Sequence, residues 1–148
     1  MAVQRIDVRV RSTAAPAAVY ALVRSGPSWP VWSPISSFEL ESEGEQGQES
    51  LGAIRVFRTK QPIGSVVSRE RVVELVPDRR LGYTLLSGLP IRDYRATIDL
   101  APTAAGTEIH WYSSFRPRFP GTGWLYRLVL GAFIRRCALG LAEHANQR

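Results

Sequence analysis

Two charged residues sit inside strings that are otherwise apolar and alternating. Arg55 lies in LGAIRVF and shares parity with Phe57; Glu70 lies in SRERVVELV and shares parity with Ser68 and Val72. Residues two apart in an extended chain point to the same side, so this pair has two readings. Facing inward, the two would place a charge pair in an apolar space, which is tolerated only when well hydrogen-bonded and which would orient a polar ligand. Facing outward, they would form a cross-strand surface ion pair contributing about 0–1 kcal/mol.

Other reactive groups are few. His110 and His144 are the only histidines and Cys137 is the only cysteine, so a Cys/His zinc site lacks ligands and an intramolecular disulfide lacks a partner. There is no HExxH, no phosphate-cradling glycine loop and no carboxylate pair at helical spacing. His110 alternates out of phase with Ile109, Trp111, Ser113 and Phe115, and His144 falls in the last turn of a helical pattern. No Ser-His-Asp set can be assembled from them. The catalytic set is therefore unknown, and neither metal nor cofactor is expected.

These residues must be held by ordered elements, and the spacing defines most of them. Ile6, Val8 and Val10 alternate with Arg5, Asp7, Arg9 and Arg11, the period of a half-buried strand. Ser12 or Thr13 is placed to cap a short helix with Pro16 in its first turn and Val19, Tyr20, Leu22 and Val23 on its apolar stripe. PSWPVWSP holds three prolines and two tryptophans in eight residues, enough for one helical turn carrying Trp29 and Trp32. Six further strands follow at hairpin spacing: FELESEGE, AIRVFRT, SVVSRERVVELV, LGYTLLSG, DYRATIDLAP and TEIHWYSSFRP, which implies an antiparallel meander. After Pro117 and Pro120 the period changes to 3.6, predicting a helix over 122–144, about 35 Å long. Its apolar side is expected to carry Trp124, Leu125, Leu128, Val129, Ala132, Phe133, Cys137 and Leu141, with Arg127, Arg135 and Glu143 opposite.

Bulk properties narrow the function classes. With 148 residues, 45% of them hydrophobic and 22% charged, the chain is expected to form one domain over 1–148 with a real core. Net charge is +6, and of 19 basic residues only Lys60 is a lysine. The arginines are dispersed, while Glu39, Glu41, Glu43, Glu45 and Glu49 form one acidic ribbon, so no nucleic-acid partner is expected. The longest uncharged apolar stretch, Leu128 to Ile134, falls far short of the roughly 20 residues of a membrane span. A lone thiol and an N-terminus without an apolar signal segment lead to a cytoplasmic expectation.

The order of TAAPAAVYALV, WPVWSP, LGAIRVF, SRERVVELVPDRRLGYTLLSG, DYRATIDLAP, GTEIHWYSSFRP and the arginine-bearing last helix resembles the START-like or Bet v 1-like (SRPBCC) superfamily. This is the polyketide cyclase/dehydrase and lipid transport family. The resemblance implies an α+β helix-grip fold, a curved seven-stranded antiparallel sheet wrapped around a long C-terminal helix with two short helices after the first strand. It also implies a START-like ligand-binding domain with a cavity between sheet and helix for a hydrophobic or aromatic molecule, lipid or polyketide-like. Relatives include cyclases, lyases, hormone receptors and lipid carriers, so enzyme and carrier stay open.

Parity then nominates the cavity wall: Trp111, Ser113 and Phe115 on the last strand, Tyr94 and Ala96 on the one before, and Tyr83 on LGYTLLSG. Ala96, Ser87 and Ser113 are small where a filled core favours Leu or Ile. With Trp32 and Trp29 as a lid, and Arg55, Phe57 and Glu70 inward, the candidate ligand-binding set is Trp32, Arg55, Phe57, Glu70, Tyr83, Tyr94, Ala96, Trp111, Ser113 and Phe115. By likeness to cyclases, Arg55 and Tyr83 would stabilise an enolate and Glu70 would move a proton. The alternative from another class is peripheral association with a membrane through the C-terminal helix, where Trp124, Tyr126 and Arg127 form an interfacial set. An exposed edge strand permits a homodimer without requiring one.

Overall fold

The computed structural model describes residues 2–147. Among them the chain forms β1 (Gln4–Ser12), α1 (Pro16–Arg24), a 3-10 turn (Gly26–Ser28), α2 (Trp29–Trp32), β2 (Ser37–Ser42), β3 (Ile54–Lys60), β4 (Ser65–Val76), β5 (Arg80–Ser87), β6 (Ile91–Thr103), β7 (Gly106–Pro117) and α3 (Gly123–Asn146). The seven strands make one antiparallel sheet in the order β1-β7-β6-β5-β4-β3-β2. Short links place β3 through β7 side by side in chain order, the longer 43–53 segment returns β2 onto β3, and β1 closes the far edge on β7.

The alternation of β1 buries Ile6, Val8, Val10 and Ser12 and exposes the arginines between them. α3 packs chiefly against β1, with α1, α2 and β7 also touching it. The grip is tightened where the termini meet. Asn146 Oδ1 accepts from Ser12 Oγ at 2.6 Å, Thr13 N at 2.7 Å and Thr13 Oγ1 at 2.9 Å, and the Ala142 carbonyl lies 3.1 Å from the same Ser12 hydroxyl as a second, shared acceptor. These bonds correct the expected cap: the residue before α1 is Ala15, with no side-chain cap, and Pro16 opens the helix. Ser12 and Thr13 tie β1 to α3 instead.

The apolar side of α3 also differs from the helical-period expectation. Leu130, Ile134, Cys137, Ala138, Leu141 and Ala142 are buried, whereas Trp124, Leu125, Leu128 and Val129 stand outside. From Leu128 to Ile134 the helix is apolar nearly all round, so periodicity alone does not select the stripe that meets the sheet.

Two register shifts interrupt the β4–β5 ladder, at Arg69/Glu70 and Val72/Glu74. A bulge inserts an extra residue and re-aims the side chains beside it. The first of these lies at Glu70.

Candidate functional site

Between strands β3 to β7 of the sheet and the stretch of α3 from Val129 to Cys137 lies a cavity of about 150 Å³. The strands contribute Phe57, Thr59, Ser68, Glu70, Tyr83 and Trp111 among others, and α3 contributes Leu130, Phe133, Ile134 and Cys137. Gln61, Val66 and Val129 mark its opening, and Leu89 of the 87–90 loop touches it.

Of the ten residues nominated from the sequence, Phe57, Glu70, Tyr83, Tyr94 and Trp111 line this cavity. Trp32, Arg55, Ala96, Ser113 and Phe115 do not. Ala96 and Ser113 are register partners, in the same cross-strand row as Tyr83 and Ile6, and both are buried without lining the cavity. Phe115 stands behind Tyr94, ring centroids 6.3 Å apart. The tryptophans are not a lid: both are buried, Trp29 donating from Nε1 to the Val23 carbonyl and Trp32 to Ser28 Oγ. Trp29 is instead inner wall, its ring tilted against Phe57 with centroids 4.9 Å apart and edge-on to Trp111 at 5.6 Å.

Arg55 and Glu70 are register partners on β3 and β4 and face the interior, which removes the surface ion-pair reading. Their roles then separate. Arg55 is fully buried behind the wall, its guanidinium 5.3 Å from the Trp29 ring and 5.1 Å from the Phe57 ring. Its Nη1 donates to the Val23 carbonyl at 3.1 Å and to Glu49 Oε1 at 3.3 Å, and the same Glu49 oxygen accepts from Gly26 N at 2.8 Å. The ion-pair partner of Arg55 is thus Glu49 of the acidic ribbon, and together they pin the turn that carries Trp29. Since Arg55 does not reach the cavity, the enolate-stabilising role that the resemblance implied for it does not fit its position.

Glu70 remains as the polar group of the wall. Its Oε1 is buried with no hydrogen-bond partner among the described residues. Burial raises its carboxyl to about 7, and the positive charge of Arg55 holds it from rising further. Tyr83 and Tyr94 are raised as well, first by their own burial; the Glu70 charge adds to both. Tyr83 Oη accepts from Trp111 Nε1 at 3.2 Å, which turns the phenol's own proton toward another acceptor. Cys137 is pushed up by burial and then by Glu70, so it is a neutral wall group rather than a nucleophile. The arrangement is an apolar chamber holding one carboxyl poised near neutrality and two neutral phenols.

His110 lies on the outer face, its Nε2 3.0 Å from Asp7, and neither histidine lines the cavity. Among the described residues no group of three metal-binding side chains forms, and no helix is long and apolar enough to cross a membrane. The residues that sequence parity missed are those of α3 and the β3–β4 ends. Leu130 and Ile134 fell outside the expected apolar stripe, and nothing in the alternation of Thr59, Gln61, Val66 and Ser68 marks an opening.

A curved antiparallel sheet holding a long terminal helix over a cavity defines a helix-grip protein. Residues 3–146 match the family described as polyketide cyclase / dehydrase and lipid transport, and the chain belongs to it. Solved structures agree on the fold. A START superfamily protein from Mycobacterium smegmatis superposes with a TM-score of 0.82 at 15% identity, covering 97% of this chain and 98% of that one. The di-domain ARO/CYC StfQ of the steffimycin biosynthetic pathway gives 0.81 at 16% identity, covering 99% of this chain and 51% of that chain, so the present chain spans about half of it. Major latex-like protein 151 from Panax ginseng gives 0.75 at 9% identity with 97% of each chain covered. A search of curated proteins found no match.

Proposed function

We propose that the chain binds a small organic molecule in the cavity between sheet and α3, with the Glu70 carboxyl as its polar anchor. The observation that carries this reading is Glu70 Oε1, a buried carboxyl oxygen without a partner on the wall of an apolar chamber. A buried polar atom left unsatisfied costs about 1–3 kcal/mol, and a guest with a hydroxyl or carbonyl group would recover it. Size bounds the guest. Pockets that enclose a drug-sized ligand hold roughly 300–1,000 Å³, whereas a cavity near 150 Å³ accommodates a single ring. The chamber as it stands therefore suits one ring or a short acyl end of a lipid or polyketide-like molecule, the remainder emerging past Gln61 and Val129.

Calorimetric titration with a series of single-ring compounds tests this. Phenols and aryl ketones should bind one to one and more tightly than the matching hydrocarbons, and Glu70→Gln should narrow that difference. Ser68→Leu, which fills the chamber, should weaken all of them about tenfold or more. Equal binding of every compound to the Ser68→Leu variant would place the guest elsewhere.

The raised Glu70 carboxyl favours a second reading, turnover by dehydration. As a carboxylate it would take the α-proton of a β-hydroxy ketone, a Tyr83 or Tyr94 phenol would hydrogen-bond the enolate, and the β C–O bond would break. The departing hydroxide would leave with that proton as water, restoring the carboxylate. Formation of an enone from such a substrate, lost in Glu70→Gln, would establish it; binding without turnover would leave a carrier.

A further inference from the structure

α3 is covered over only part of its length. Trp124, Leu125, Leu128 and Val129 are 57%, 44%, 59% and 58% exposed, and Phe119 in the preceding turn is 53% exposed. Positions 124, 125, 128 and 129 fall on one helical face, so these side chains form a single ridge. Across the cavity opening, Ile63 at the tip of the β3–β4 connection is 94% exposed. The ridge and the tip stand on either side of the opening, because Val129 and Gln61 line the same chamber.

The charge of the segment that carries the ridge has one sign. Residues 109–142 contain Arg116, Arg118, Arg127, Arg135 and Arg136 and no acid. Arg118, Arg127, Arg135 and Arg136 are exposed, and none of these four makes an ion pair among the described residues. Arg118 lies over the Phe119 ring at 5.6 Å, and Arg127 bonds only the neutral Gln4 amide at 3.2 Å.

We propose that this half of α3, with the 118–119 turn, docks on an anionic lipid bilayer. Trp124, Leu125 and Leu128 enter the headgroup–acyl boundary and the four arginines meet lipid phosphates. Charge selects this occupant over a second copy of the chain. A two-fold pairing sets the same patch against itself, which would bring arginine against arginine with no acid between them. The docked orientation turns the chamber's opening toward the membrane.

Flotation of the full chain with vesicles tests the surface, and the titration described above tests the chamber, so either can fail alone. The chain should float with mixed phosphatidylcholine–phosphatidylglycerol vesicles, more weakly with phosphatidylcholine alone, and less as salt rises. The double substitution Leu125→Glu with Leu128→Glu should reduce flotation about tenfold or more. Val76→Glu, on an exposed apolar residue at the end of β4, should leave it unchanged. Should the double variant melt early, Arg118→Gln with Arg127→Gln gives the same readout through charge. Three results would overturn the proposal: no flotation with anionic vesicles, flotation of the Glu double variant equal to that of the wild type, or a wild-type dimer in sedimentation that the same variant dissolves.

Discussion

Glu70 makes the interior of this protein sensitive to pH, and the direction follows from its environment. Burial lifts its carboxyl from the ordinary 4.5 to about 7, so between those values the folded chain keeps a proton that the unfolded chain has released. Stability from this group is therefore greatest at the lower end of the window, falls as pH rises through it and levels off above. The difference in unfolding free energy between wild type and Glu70→Gln, measured by urea titration, should be small near pH 4.5. By pH 8 it should grow to on the order of 2–3 kcal/mol in favour of the variant. A difference that does not change with pH would place the carboxyl in water. Arg55 acts in the opposite direction on the same group, because its charge favours the carboxylate. Arg55→Met should move the Glu70 midpoint to higher pH, and should cost roughly 3–5 kcal/mol by leaving Glu49 without its buried cation. Sequence parity related Arg55 to Phe57 and Glu70 to Ser68 and Val72 but left open whether the pair faces the cavity or the solvent, which the β3–β4 register and burial decide. What parity cannot carry is depth: Arg55 reaches back to Val23 and Glu49 while Glu70, beside a bulge, turns into the chamber.

At the scale of elements, two glycines of α3 separate intrinsic propensity from packing. Gly131 has open space where a Cβ would go, whereas a Cβ on Gly140 would collide with the Trp32 carbonyl oxygen of α2. Replacing glycine by alanine inside a helix normally stabilises by about 0.5–1 kcal/mol. Gly131→Ala should follow that rule and raise the melting temperature by a few degrees. Gly140→Ala should reverse it, costing roughly 1–3 kcal/mol as α2 is pushed off α3. Melting curves of the two variants check both signs, and a stabilised Gly140→Ala would mean that α2 does not rest on α3. The elements themselves were legible in the sequence: prolines confined α2 to one turn, and period-2 runs bounded by turn residues marked every strand. The face of α3 was not, because Leu128 to Ile134 is apolar on nearly every side. Contact with β1 and β7 decides which side is buried, and that contact is a property of the assembled sheet. Ser12 and Thr13 illustrate the same limit, since their hydroxyls suit a helix cap yet meet Asn146, more than 130 residues away.

The whole molecule divides into a gripped side and an open side, and this division is where ligand binding should be visible. β1, β7 and β6 lie under α1 and the second half of α3, with Ile98, Ile109, Cys137, Ala138 and Leu141 fully buried between them. β2, β3 and β4 arch over the chamber and bury few side chains completely, Arg55, Phe57 and Val72 being the exceptions. Amides in regions with few buried contacts exchange through local openings of low free energy, whereas those at the packed side exchange only through larger ones. In the free protein, hydrogen exchange should be slowest in β6 and β7 and fastest in β2 and the β3–β4 ends. A guest held in the chamber touches Thr59, Ser68 and Glu70 on one wall and Leu130 to Cys137 on the other. Its binding should slow exchange in β3, β4, the middle of α3 and around Trp111 of β7 while leaving β1 unchanged. Uniform slowing would indicate only global stabilisation by mass action, and slowing confined to β1 would move the binding site off this cavity. The antiparallel run of β3 to β7 followed from short links in the chain, but the closure of β1 on β7 and the unequal covering of the sheet follow from the assembled fold and from where one helix lies, so exchange mapped along the strands tests that placement directly.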